Sequence, residues 1–302
     1  MRPGNHHRTA APYKRSPIFN PVKNTSQPIW DAEFTARSPL FAPLAAAASS
    51  LRNCTGWPAL RDLNALLPPE PRTVVSGGGG HRLTFVAPTV AGGDAQTGFE
   101  PRTYLSGELA TREGNWHDLF NALTWLTFPK AKAAINARHY EALSSNPSSA
   151  ARGPARDALT LFDESGVVIA CSDPSLLHLI ENFAWKKLFW RRRHGVTTAM
   201  RCYVFGHGLY EKILNPFVGL TGKATGFVVP PEFFSTPQAE QLTALDARLA
   251  VRIASAFRHP RELNPLPILG IPGATVDNER EDYYDNSDYF RPGRRASASS
   301  VR

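Results

Sequence analysis

Apolar residues recur along this chain mostly at three- and four-residue intervals, so the pattern predicts helices first. From Trp30 to Leu67 the pattern is helical but broken at Pro39, Pro43 and Pro58. Leu60, Leu63, Leu66 and Leu67 keep helical spacing until Pro68-Pro69 stops the run. Gly77 to Gly80 end a loop, and HRLTFVAP then alternates as a strand, with Leu83, Phe85 and Ala87 on one face. A second short strand is predicted over Arg102 to Leu105. Asn115 suits an N-cap for a helix running to about Leu126, and Pro129 opens another to Leu143. Ser144 to Gly153 reads as a small-residue linker. LTLFDESGVVIACS reads as a hairpin, two β-rich runs around the turn residues Asp163, Glu164, Ser165 and Gly166.

Asp173-Pro174-Ser175 caps a further helix to about Phe183, and WKKLFWRRR continues as helix. MRCYVFGHG predicts a strand leading into a short helix over Leu209 to Leu214. GLTGKATG fails the phosphate-loop pattern at Phe217 and Ala224, and reads as a turn. Thr236-Pro237 begins a long amphipathic helix to about Phe257, with Leu242, Leu245, Leu249, Val251 and Ile253 inside. Helices outnumber strands and do not alternate with them as βαβ units, which argues against a doubly wound sheet. The expected fold is α+β: a mainly helical single domain over 29–292 with a small antiparallel sheet. Disordered tails are expected at 1–28, which is basic and proline-rich, and at 293–302.

Composition narrows the classes. The 302 residues are 42% apolar, enough for a real core, and carry a net charge of +8. The charge is uneven. WKKLFWRRRH is a basic cluster, whereas Asp277 to Asp288 is acid-rich and could pair with it. A basic balance favours an anionic ligand or nucleic acid as partner. Cys54, Cys171 and Cys202 are odd in number and lack CxxC spacing, which argues against a disulfide framework or zinc ribbon and fits a reducing cytoplasm. No apolar run reaches the ~20 residues of a membrane span.

The densest chemistry lies between Thr111 and His139. Glu113, His117 and Asn121 are four apart, and His207 and Glu211 repeat the pairing in reverse. Imidazole beside carboxylate can hold a divalent metal, the candidate cofactor here, or orient a general base. The candidate catalytic residues are His117, Glu113 and Asp118. The candidate metal ligands are His117, His139, His207 and Glu211. Arg112, Asn121, Lys186, Lys187, Arg191, Arg192 and Arg193 are candidates for holding an anionic substrate, with Trp190 available for stacking. The reading is a metal-assisted hydrolase of a phosphodiester or other anionic substrate. The alternative is a non-catalytic module that binds nucleic acid or a protein, its His, Glu and Asp groups forming a structural network.

Two resemblances bear on this. Asn121, Leu123, Trp125, Thr127 and Asn136 are similar to a segment of HNH homing endonucleases, but His117 lies only four residues before Asn121, too close for that family's two-stranded ribbon. More broadly, GELATREGNWHDLFNALTWLTFPKAKAAINARH, RGPARDALTLFDESGVV, GHGLYEK with NPFVGLTGK, and LPILGIPG with YYDNSDYFRP resemble the bacterial domain-of-unknown-function family 3025. The resemblance covers about 99–292. It implies a domain and a bacterial cytosolic setting, and no catalytic residues.

Overall fold

The computed structural model describes residues 28–69, 76–88, 99–145 and 153–293. The expected linker at 144–153 and both expected tails fall largely outside them. The prolines before Leu67 do more than interrupt one helix. They leave 3-10 turns at Phe34–Ala36, Pro39–Leu44 and Ser49–Asn53, and one α-turn, α1 (Leu60–Asn64). Their apolar side chains still reach the interior: Phe34 and Phe41 pack on Phe120, with ring centroids 5.5 and 5.8 Å away.

Strand β1 (Thr84–Val86) pairs in parallel with β2 (Glu108–Ala110). Leu83 and Phe85 are buried as their alternation predicts, but Ala87 is exposed. Between the strands, residues 102–105 belong to helix α2 (Phe99–Ser106) rather than a strand. Pro101 is tolerated in a first helical turn, and Gly107, at φ 72°, ends the helix with a bond from its N–H to the Thr103 carbonyl. Helices α3 (Trp116–Thr127) and α4 (Pro129–Ser145) follow. Asn115 caps α3, its side chain accepting the Asp118 N–H at 3.0 Å.

The predicted hairpin is instead a helix that runs straight into a strand: α5 (Pro154–Ser165), then β3 (Gly166–Cys171). Pro154 at the first helical position, with Ala158, Leu159 and Phe162 buried on one face, sets a helical period that the DESG turn signal masks. Then come α6 (Pro174–Glu181), a π-turn at Lys187–Arg191, α7 (Arg193–Ala199), β4 (Met200–Val204), α8 (His207–Ile213), β5 (Thr221–Val228), α9 (Gln238–Ser255) and β6 (Asn264–Pro267). The main sheet has the order β4-β3-β5-β6. It is mixed rather than purely antiparallel, because β3 and β5 run parallel. Residues 221–226, part of the expected turn, are the start of β5. Pairing on both sides overrides local Gly-Lys-Thr chemistry, and small residues suit a strand covered on both faces.

Every residue of β3 is buried. Val167, Ile169 and Cys171 face the core shared with the N-terminal turns and α3, whereas Val168 and Ala170 face Phe162, Phe205 and α9. In α9, Leu242, Leu245, Leu249 and Ile253 are buried, but Val251 is 71% exposed. Two residues from Leu249 is about 200° around a helix, so Val251 points away from the core.

Asp246 of α9 reaches across to α4 and accepts the N–H groups of Lys130 and Ala131 at 3.0 and 2.8 Å. Burial raises its carboxyl to about 6, against the lowering effect of those bonds. A carboxyl raised above its unfolded value of ~3.9 adds stability that is complete below that value and is lost as pH rises through the folded one. Between about pH 4 and pH 6, chemical denaturation should therefore register a loss of up to about 3 kcal/mol from this group. The Asp246→Asn variant should flatten that slope; an unchanged slope would assign it elsewhere.

Candidate functional site

Register in the main sheet assembles the centre of the site. Val167 of β3 stands opposite Val204 of β4, and the Gly166 carbonyl accepts the N–H groups of Phe205 and Gly206. The last turn of α5 is thereby fixed beside the first residue of α8, so Glu164 meets His207 although 43 positions separate them in the chain. Gly208 permits the contact, because a Cβ there would overlap Glu164 Oε2. Helix α3 docks on α8 through Phe120 and Tyr210, whose rings stack at 5.6 Å. That contact brings His117, one turn before Phe120, onto the same spot. The rings of His117 and His207 lie edge to face with centroids 4.5 Å apart.

The resulting geometry has a clear polarity. Glu164 Oε1 lies 3.4 Å from His207 Nε2 and 3.8 Å from His117 Nε2. The ligand-capable atoms of His117, Glu164 and His207 all lie within 4.8 Å of one another. Behind each ring stands a second carboxylate: Glu211 Oε2 is 3.0 Å from His117 Nδ1, and Asp163 Oδ2 is 3.8 Å from His207 Nδ1. Asp163 is itself held by Lys132, with Nζ at 2.6 Å. The hydrogen bond that Glu211 accepts raises the His117 pKa, with help from Glu164 and against burial. His207 lowers the Glu164 pKa chiefly through their hydrogen bond. For Asp163, burial works upward, but Lys132, joined by His207 and His139, outweighs it and holds the carboxyl low.

The centre opens into a cleft of about 420 Å³ lined by faces of α3, α4 and α5. His117, Asn121 and Trp125 line it from α3, Lys132, Asn136 and His139 from α4, and Thr160, Asp163 and Glu164 from α5. These are helical intervals of three and four, so each helix gives one polar stripe to a common cavity.

Several sequence-predicted residues stand elsewhere or have other partners. Glu113 precedes α3 and accepts the Leu60 N–H at 2.8 Å, serving the start of α1 and not the cleft. Gly114, at φ 69°, turns the chain between Glu113 and the helix, so the i, i+4 relation to His117 is not realised. Asp118 lines the cleft, but Arg112 binds both its oxygens with its guanidinium, each at 2.8 Å, and one with its backbone N–H. Burial pushes the Asp118 carboxyl up and Arg112 more than reverses this. Neither Asp118 as a base nor Arg112 as an anion clamp is free for the role expected of it. His139 is in the cleft but outside the His117–Glu164–His207 cluster, and Glu211 stands behind His117 rather than in the cluster. The turn chemistry of Asp163, Glu164, Ser165 and Gly166 hides Asp163 and Glu164 as site residues. The Ala158, Leu159 and Phe162 stripe would have put both on the last turn of a helix.

The basic segment is largely satisfied within the chain. Lys186 pairs with Asp285 at 2.7 Å and Glu281 at 3.3 Å, Arg193 with Glu279, and Arg192 with Asp173 at 2.7 Å. Lys187 and Arg191 are exposed, whereas Trp185 is buried with its indole N–H on the Arg291 carbonyl. The acid-rich stretch is fastened to the core by Asn278, Tyr284, Tyr289 and Phe290, all buried.

The fold and the cleft thus define an α+β protein with a two-histidine, one-carboxylate cluster at the meeting point of α3, α5 and α8. The chain belongs to the family described as protein of unknown function (DUF3025), whose model matches residues 83–294. No curated protein and no solved structure matches it. The segment similar to HNH endonucleases is a pair of helices, α3 and α4, and holds no two-stranded ribbon. Among the described residues no helix is long and apolar enough to cross a membrane.

Proposed function

We propose that the protein is a metal-dependent hydrolase in which His117, His207 and Glu164 hold one divalent ion and leave further coordination positions for water and an anionic substrate group. The observation that carries this reading is the arrangement of carboxylates about the two rings: both Nε2 atoms face Glu164, His117 Nδ1 is hydrogen-bonded to Glu211, and Asp163 stands 3.8 Å behind His207 Nδ1 without a hydrogen bond to it. Metal-bound histidines commonly have such a carboxylate, which fixes the ring and raises its basicity. An ion about 2.1 Å from each ligand sets neighbouring ligands ~3.4 Å apart, close to the two separations from Glu164. Two imidazoles favour zinc or another transition metal over magnesium, which prefers oxygen ligands. Three protein ligands are the usual complement of a catalytic zinc site, where the ion lowers the pKa of bound water and polarises the scissile group.

The charge around the cleft supports the same reading. Glu100, Asp118, Asp163 and Glu164 line it against only Arg112 and Lys132, each already bonded to a carboxylate. An anionic substrate group entering this lining would need a bound cation to receive it. The internal pairing of Lys186, Arg192 and Arg193 counts against a nucleic-acid interface there, since phosphate binding would have to displace those carboxylates.

Thermal unfolding with zinc, manganese and magnesium tests the metal. A saturable rise with zinc or manganese that is lost in His117→Ala is the expected result. No shift with any of the three, from protein that purifies without metal, would leave a structural network instead. Because Glu211 raises the His117 pKa, protons should compete with the ion at a higher pH than for a free imidazole. Zinc affinity should fall as pH drops from 8 to 6. In Glu211→Gln that fall should move to lower pH while overall affinity decreases about 10-fold. A superimposable pH profile in the variant would remove Glu211 from this arrangement.

A further inference from the structure

The two cleft carboxylates without a cationic partner stand at different places. Glu164 belongs to the histidine cluster. Glu100 begins α2, half-buried, and among the described residues its side chain has no hydrogen-bond or ion-pair partner. Asn136 fixes this end of the cleft. Its Nδ2 donates to the Glu100 carbonyl at 2.9 Å, and its Oδ1 accepts the Gly78 N–H at 2.9 Å. Three cleft residues carry buried atoms without a hydrogen-bond partner: His207 Nδ1 in the histidine cluster, and Asn121 Oδ1 and His139 Nδ1 outside it, the last two on side chains only 8% and 6% exposed. Burial lowers the His139 pKa, which keeps the ring neutral and leaves one nitrogen able to accept. Phe99 and Trp125 also line the cleft.

An anion is disfavoured by this surround, since the two cations of the lining are committed, Lys132 to Asp163 and Arg112 to Asp118, and Arg156, which acts on His139, stands outside the lining. A plain apolar group would leave a carboxylate, the Asn121 side-chain carbonyl and a His139 ring nitrogen unpaired, which is costly in a partly desolvated site. A group that brings donors and positive charge answers all of them. We propose that the Glu100 end of the cleft is a subsite for a primary alkylammonium group. This deepens the hydrolase reading, and for the substrate it rests on that reading: the substrate is bipolar, with its scissile anionic group at the metal and an amino group at the other end. Lys132 and His139 are seven residues apart on α4, so the two groups are separated by on the order of 10 Å.

The subsite is tested by titrating butylammonium into protein with isotope-labelled histidine and following the His139 ring signals, with butanol and sodium chloride as matched controls. The expected result is a saturable shift with butylammonium in the millimolar range, at least tenfold weaker in Glu100→Gln, and weakened as well in Asn121→Leu. A cooperative thermal unfolding transition in each variant shows that it is folded. His117→Ala should lose zinc binding and keep the butylammonium response, so the subsite and the metal centre fail or stand separately. Equal responses to butanol and butylammonium, or an unchanged response in Glu100→Gln, would overturn the proposal.

Discussion

Glu164→Gln should lower zinc affinity by two orders of magnitude or more while leaving the metal-free protein almost as stable as the parent. The carboxylate is the only anionic member of the three-residue cluster, and an amide oxygen is a far weaker ligand for a divalent ion. Its side chain is 42% exposed, so in the metal-free fold its contacts with the two imidazoles are screened and contribute little. At a zinc concentration 100 times its Kd, the parent gains about 2.7 kcal/mol from binding, a rise of several degrees in Tm. The variant at the same concentration should gain almost none. Competition with a chelating dye reads the affinities directly. Equal affinity in the two proteins would show that Glu164 is not a ligand and that the cluster is a hydrogen-bonded network.

The contrast between Glu164 and Glu113 shows how far this site is legible in the sequence. His117 and His207 can be singled out from local spacing because each sits at or near the start of a short helix whose limits are marked by Asn115 and Gly206. Glu113 has the same four-residue spacing, but one glycine at positive φ removes it from the helix, and periodicity counts residues without seeing that torsion. Glu164 is the opposite case. Its neighbours Asp163, Ser165 and Gly166 have turn chemistry, and the helix that carries it passes into a strand with no loop between them. Its partnership with His207 depends on the pairing of β3 with β4, a long-range register that no local pattern contains. The parallel β3–β5 pair was hidden for the same reason. Long amphipathic elements with caps, such as α3, α4 and α9, are legible because their apolar stripe and end signals agree.

Lys132→Met should cost about 3 to 5 kcal/mol, the largest loss expected from a single cleft substitution. The Lys132 side chain is only 3% exposed and that of Asp163 21%, so neither charge can be left to water when the other is removed. The lysine also lies over the Trp125 ring at 5.6 Å, a smaller contribution that methionine partly replaces. The penalty carries a pH signature. In the parent, Lys132 holds the Asp163 pKa below its unfolded value of ~3.9. The pair therefore stabilises the fold above that pH, and this stability is lost as pH falls through the lower folded value. Without the lysine, burial dominates and the Asp163 carboxyl rises. The defect should then be full at neutral pH and shrink on acidification as Asp163 takes up a proton. Urea unfolding at pH 7 and pH 4 measures both. Adding Asp163→Leu to Lys132→Met should restore most of the stability, because the uncompensated charge is gone. Zinc affinity should not return with it, since the carboxylate 3.8 Å behind His207 Nδ1 would still be missing, and a loss of 10- to 100-fold is expected. A double variant that regains both stability and full zinc affinity would show that Asp163 serves only to balance Lys132 and has no part in holding the metal.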